Sequence, residues 1–188
     1  MKLLFYREGK TKDLVWYLPG GKWWPLDRRV AGPKKGDWVV ARDEKLCESI
    51  HSKIGCGVCS VSYDVGYRTD NKRDFPHWRP ENWIRHVYKF ANDKRMYDSL
   101  HLVGYSGGGS VASTQVWYVP NKMVRSLMII DGPVARDPLS IHNNAAFFSD
   151  EISVRTLLLY GDADEYRSHA DVWKRNNPAA IPKGYQGG

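Results

Sequence analysis

Ser106 stands in Gly104-Tyr105-Ser106-Gly107-Gly108-Gly109, a serine among four glycines directly after an apolar run. G-x-S-x-G between a strand and a helix is the spacing a nucleophilic serine needs. Glycines two residues before and after it keep side chains out of a tight turn, so the hydroxyl stands exposed at the top of a sheet. The amide of Gly107, at the start of the following helix, would face a developing oxyanion. The competing reading is a capping serine in a phosphate-binding or structural loop. Against the phosphate loop, the order G-x-G-x-x-G is missing and no Lys-Ser/Thr pair follows.

The elements that must position this serine read clearly. Residues 13–18, DLVWYL, form an apolar run closed by Pro19-Gly20-Gly21, which predicts a buried strand and a turn. Residues 2–7 read as an edge strand before it, and residues 39–53 as a helix with Val40, Leu46, Cys47 and Ile50 recurring on one face. GCGVCSVSY, residues 55–63, has the small and β-branched content of a strand covered on both sides. Helical spacing returns over 81–91. Residues 100–105 are the strand before the glycines, and 110–118 the helix after them. Two more apolar runs, 123–130 and 153–160, each end in an Asp/Gly turn, and a last helix is predicted near 168–175. Alternation of strand and helix predicts an α/β fold, a mainly parallel central sheet with helices on both faces in a three-layer sandwich, as one domain over 1–188. In such a sheet ligands gather at the carboxyl ends of the strands. Gly20-Gly21, Ser106, Asp131 and Asp162 to Asp164 all follow predicted strands, so they should share one rim.

Taken in that order, the motifs resemble the α/β-hydrolase superfamily, in particular its esterase and lipase-like members. GYSGGG resembles their nucleophile elbow. VWYLPGGKWWP, residues 15–25, resembles the strand and His-Gly-Gly-Gly-Trp loop of such esterases, with Pro19 in place of the histidine and Lys22 in place of the third glycine. SVSYDVGYR and DFPHWRPENWIRHVYKF resemble their next strand, its turn and the helix leading to the elbow. The resemblance implies a serine hydrolase acting on esters of small to medium acyl groups, with Ser106 as nucleophile. It assigns oxyanion-hole amides to Gly20, Gly21 and Gly107, needs no metal or organic cofactor, and places the triad acid in a Gly-x-x-Asp turn, matched by Gly161-Asp162-Ala163-Asp164 at Asp164. Asp162 is the reserve candidate, and Asp131 in IIDGP holds a position used for the acid in some hydrolases. Lys22, Trp23, Trp24 and Phe147-Phe148 are candidates for the pocket wall or for packing.

The base is harder to find. Chain order in this fold is serine, acid, histidine, and only His169 follows Asp164, five residues on and too close for an intervening helix and strand. His51 and His86 fall on predicted helices, His101 opens the strand to the elbow, and His77 and His142 lie in loops. Residues 178–188 read as a last short strand and the start of the loop that would carry the histidine, and the chain stops at Gly188 without one: either the sequence is truncated just before its base or the fold has lost it. The alternative function is therefore a non-catalytic protein of the same fold that binds a ligand or partner in the cleft.

Other classes are argued against. The net charge is +7, but its basic pairs, such as Arg28-Arg29, Lys34-Lys35, Lys72-Arg73 and Lys94-Arg95, scatter over separate loops without a nucleic-acid docking motif. No apolar run approaches the roughly 20 residues of a membrane span, and MKLLFYREGK becomes charged too soon for a signal peptide, which predicts a cytoplasmic protein. Cys56 and Cys59, three apart on a strand, face opposite ways and make a poor redox pair. No Cys/His cluster has zinc spacing.

Overall fold

The computed structural model describes residues 2–20, 38–62, 97–106, 123–132, 154–161 and 180–186, together with 108, 109, 112, 113, 116, 167, 171 and 174. They form β1 (Lys2–Arg7), β2 (Asp13–Leu18), α1 (Trp38–Ile54), β3 (Gly57–Ser62), β4 (Ser99–Tyr105), β5 (Val124–Ile130), β6 (Arg155–Gly161) and β7 (Ala180–Tyr185). The predicted helix over 81–91 lies outside the described residues.

One seven-stranded sheet carries the order β1-β3-β2-β4-β5-β6-β7. β1 pairs antiparallel with β3, with a register shift between Leu3 and Phe5; every other pairing is parallel. From β2 the chain moves to β3 on one side, and the following strand, β4, lies on the other. The strand order therefore reverses at β2 and β4. Connections leave such a switch point in opposite directions and open a crevice at the carboxyl ends of the two strands. Leu18 and Gly104 stand opposite each other there, just before Pro19-Gly20 and Tyr105-Ser106.

Burial follows position in the sheet. On β2, Leu14, Trp16 and Leu18 are buried on one face and Val15 and Tyr17 on the other, as expected of a central strand covered on both sides. β7, at the edge, is exposed from Ile181 onward except for half-buried Pro182. Proline, which lacks the N–H for a second ladder, is tolerated in such a strand. Under α1, Cys47 packs in a cluster with Val15, Tyr17, Cys56, Val58 and Val103, joined by Ile50. Leu46, expected on the same face, is exposed instead; one residue is about 100° of helical turn, enough to carry it off the stripe that Cys47 occupies. Gly55, at φ +75, ends the helix. Its N–H donates to the His51 carbonyl at 2.7 Å, and the His51 ring donates through Nδ1–H to the Cys56 carbonyl at 3.0 Å, a left-handed cap that satisfies late carbonyls.

Cys47, Cys56 and Cys59 are all free and buried. Burial pushes the Cys47 thiol up to about 12, with Asp43 and Glu44 adding to the effect, and raises Cys59 and Cys56 as well. Thiols held protonated are poor nucleophiles. The native protein is expected to resist a maleimide at about pH 8 and to react at all three sites once unfolded, as read by intact mass. Because the folded values lie above the ordinary thiol value of 9.0, their contribution to stability is complete below that pH. It is lost as pH rises from there towards the folded values. Urea midpoints should fall over this alkaline range, and fall less in Cys47→Ala.

Candidate active site

β4 stays buried from Leu102 to Gly104 and then breaks sharply at Ser106, whose φ is 50. A left-handed serine costs on the order of 1–3 kcal/mol, so its surroundings must hold it. Two backbone hydrogen bonds do so: the Ser106 N–H donates to the Ile130 carbonyl at 2.9 Å, and the Gly109 N–H donates back to the Ser106 carbonyl at 2.8 Å. Residues 108, 109, 112, 113 and 116 are helical, so the helix is already formed at residue 108, before residue 110. Ala112, Ser113 and Val116 are buried beneath it.

The two motif glycines are required by close approach. A Cβ on Gly104 would lie 2.4 Å from the Gly108 carbonyl oxygen, and one on Gly108 only 2.1 Å from that of Leu18 and 2.7 Å from that of Pro19. The start of the helix is thus packed backbone to backbone against the end of β2. The same packing brings the Pro-Gly turn to the serine: a Cβ on Gly20 would lie 3.0 Å from Ser106 Cβ and 2.9 Å from the Tyr105 ring. Gly20 and Ser106, 86 residues apart in sequence, share one rim as predicted. Gly21, Gly107, Asp162, Asp164 and His169 lie outside the described residues, as do Lys22, Trp23, Trp24 and Phe147-Phe148.

The other side of the serine is formed by the end of β5. A Cβ on Gly132 would lie 2.3 Å from the Ser106 carbonyl oxygen. Beside it Asp131 has the second left-handed φ of a non-glycine among the described residues, 43. Its Oδ1 accepts the Gly161 N–H at 2.8 Å and its Oδ2 accepts the Tyr185 hydroxyl.

Of the six histidines, His51 and His101 are described. His51 caps α1 beside the start of β3. His101 is the third residue of β4, and five residues of strand put it about 16 Å from Ser106 along the sheet, so neither serves that hydroxyl. His101 has partners of its own: Ser126 Oγ at 2.7 Å from Nδ1 and Asp13 Oδ1 at 3.3 Å from Nε2. These three side chains have the composition of a Ser–His–Asp triad, yet they sit at the amino ends of β2, β4 and β5. Sequence reasoning did not join them, although each is a polar residue near the start of an otherwise apolar strand. The Tyr185–Asp131 bond left no signal in the sequence.

Among the described residues no group of three or more His, Cys, Asp or Glu side chains could hold a metal ion, and no helix is long and apolar enough to cross a membrane.

No protein-family model matches the sequence, and neither does any curated protein. Solved structures do match. A lipase-esterase related protein from Clostridium acetobutylicum superposes with a TM-score of 0.63 at 10% identity, over 100% of this chain and 92% of that one. An esterase from Exiguobacterium antarcticum gives a TM-score of 0.62 at 11% identity, over 97% and 86% of the two chains. An α/β-hydrolase enzyme from a sediment metagenome of the Mar Chica lagoon, Morocco, gives 0.58 at 16% identity, over 96% and 83%. A sheet whose order reverses at β2 and β4, a left-handed serine just past β4, and superposition over nearly the whole chain lead to one conclusion: this chain has the α/β-hydrolase fold.

Proposed function

We infer that the chain is a serine hydrolase that cleaves carboxylic esters of small to medium acyl groups through an acyl-enzyme on Ser106. The observation that carries this reading is the contact between Gly20 and Ser106 Cβ at the carboxyl ends of β2 and β4. It brings the backbone of Gly20 beside a hydroxyl presented by a strained turn, which supports the pairing of amide donor and nucleophile that an acyl transfer requires. The esterases and lipase-related proteins among the structural matches support the same substrate class.

In this reading Ser106 Oγ attacks the ester carbonyl carbon while a histidine takes its proton. The oxyanion rests on the amides of Gly107 and of Gly20 and Gly21, where fixed donors stabilise charge better than mobile water does. The alcohol leaves with the proton returned by the histidine, and water then cleaves the acyl-enzyme. Asp164 orients the imidazole. A histidine outside the described residues is the base, His169 being the one that follows the acid in sequence. Three buried free thiols fit a reducing compartment such as the cytoplasm.

Ser126 is a second candidate because His101 lies 2.7 Å from its Oγ. It sits inside a strand paired on both sides, with His101 and with Arg155. Backbone amides there are committed to the ladders and offer no oxyanion hole. The test is exposure to a fluorophosphonate followed by peptide mapping. One adduct, on the peptide containing Ser106, is expected. An adduct on Ser126 would move the active site to the other rim, and an unlabelled protein would favour a non-catalytic binder of the same fold.

A further inference from the structure

Asp131 ends β5 and does more than close a turn. Its backbone N–H still belongs to the sheet, donating to the Leu159 carbonyl of β6 at 2.8 Å. Its φ of 43 then turns the chain into a left-handed conformation that aspartate tolerates better than most residues. From there the carboxylate reaches sideways across two neighbouring strands. Oδ1 takes the N–H of Gly161, the last residue of β6, and Oδ2 takes the hydroxyl of Tyr185, the last residue of β7. Neither bond is part of the β-ladder, and both lie at the carboxyl ends.

The residues flanking Asp131 hold the elbow. The Ile130 carbonyl accepts the Ser106 N–H, and Gly132 packs against the Ser106 carbonyl at a distance no side chain would permit. One tripeptide, Ile130-Asp131-Gly132, therefore grips the nucleophile's backbone at its ends and the tips of β6 and β7 through its middle side chain. The chain leaves Gly161 directly into Asp162-Ala163-Asp164. At the point where it leaves, the Gly161 N–H is held by a carboxylate oxygen of Asp131, in addition to the ladders that hold β6.

We propose that Asp131 is a positioning residue, whose carboxylate ties the ends of β6 and β7 to the Ser106 elbow and so sets the place, relative to that serine, from which the chain continues after Gly161. This rests on Ser106 being the nucleophile. It assigns Asp131 a role different from that of the triad acid. A triad acid turns a carboxylate oxygen to an imidazole N–H and must keep its charge. A tether needs acceptors in the right place, and asparagine can replace much of it: its Oδ1 still accepts from Gly161 and its amide N–H can donate to the Tyr185 oxygen.

The experiment compares wild type with Asp131→Ala, Asp131→Asn and Tyr185→Phe by amide hydrogen exchange and by p-nitrophenyl ester kinetics. In Asp131→Ala, exchange at Gly161 should quicken about tenfold, and kcat should fall about 100-fold with little change in KM, as expected when reacting groups are misplaced rather than binding lost. Asp131→Asn should keep exchange near wild type and kcat within about fivefold. Tyr185→Phe should loosen the peptide over 183–186 while sparing Gly161, which keeps the tether testable should the alanine variant not fold. Equal loss of kcat in the asparagine and alanine variants would overturn the proposal in favour of a triad acid. Unchanged exchange and kcat in Asp131→Ala would overturn it outright. Should wild type not turn over, the nucleophile reading fails separately. Exchange at Gly161 then decides the tether: quickened by alanine and restored by asparagine it stands, and unchanged in both it falls.

Discussion

Ser106→Ala should lower kcat for a short-chain p-nitrophenyl ester on the order of a millionfold, since removing a nucleophile costs about as much as removing the whole triad that serves it. Its backbone hydrogen bonds, to Ile130 and from Gly109, do not involve the side chain, and alanine makes both. The cost of a left-handed φ is similar for alanine and serine, so the thermal midpoint should move little. Loss of turnover with an unchanged midpoint would locate the chemistry on the hydroxyl itself. Retained turnover in the variant would exclude Ser106. If the proposed oxyanion hole is right, residual hydrolysis above the rate in water is expected in the variant, because backbone amides survive the substitution.

Gly108→Ala is the second large effect, and its cause is wholly steric. A methyl at this position would lie 2.1 Å from the Leu18 carbonyl oxygen and 2.7 Å from that of Pro19. Both obstacles are backbone at the end of a buried central strand, so neither can swing aside as a side chain would. The start of the helix must instead lift from β2, opening the gap between Ser106 and the Pro19-Gly20 turn. A displacement near 1 Å at the reacting groups costs about 100-fold in rate, and overpacking of this kind costs about 1–3 kcal/mol in stability. Kinetics and a urea titration on the one variant read both. The substitution adds no charge and removes no hydrogen-bonding group, so near wild-type values in both would mean that the elbow does not depend on this contact.

Much of this arrangement was legible before any coordinates. Residues 13–18, 100–105, 123–130 and 153–160 are short apolar runs followed by turn residues, so β2, β4, β5 and β6 could be read from the sequence to within two residues at each end. Ser106 stood out because G-x-S-x-G falls between a predicted strand and a predicted helix, the context in which a nucleophile fits better than a capping serine. Gly20 was reachable because parallel strands place successive carboxyl ends along one rim. Strand order was not legible: β3 lies between β1 and β2, which depends on which apolar faces meet in space. Nor was the partnership of Asp131 with Tyr185, 54 residues apart, because a hydrogen bond across two strand ends depends on tertiary register. Leu46 and Cys47 show the limit for helices, since adjacent apolar residues cannot both lie at the centre of a stripe and burial chose the cysteine.

β7 is the edge of the sheet among the described residues, and its sequence bears on what could add to that edge. An unpaired edge is a template for a further strand, and Ile181 and Tyr185 offer it apolar surface. Pro182, in the middle of β7, has no N–H to give an incoming chain, and Lys183 beside it is charged and exposed. A second molecule aligning along β7 would find its ladder interrupted at Pro182 and would have to crowd a lysine against its own backbone. Pro182 and Lys183 thus act against edge-to-edge growth of the sheet along β7.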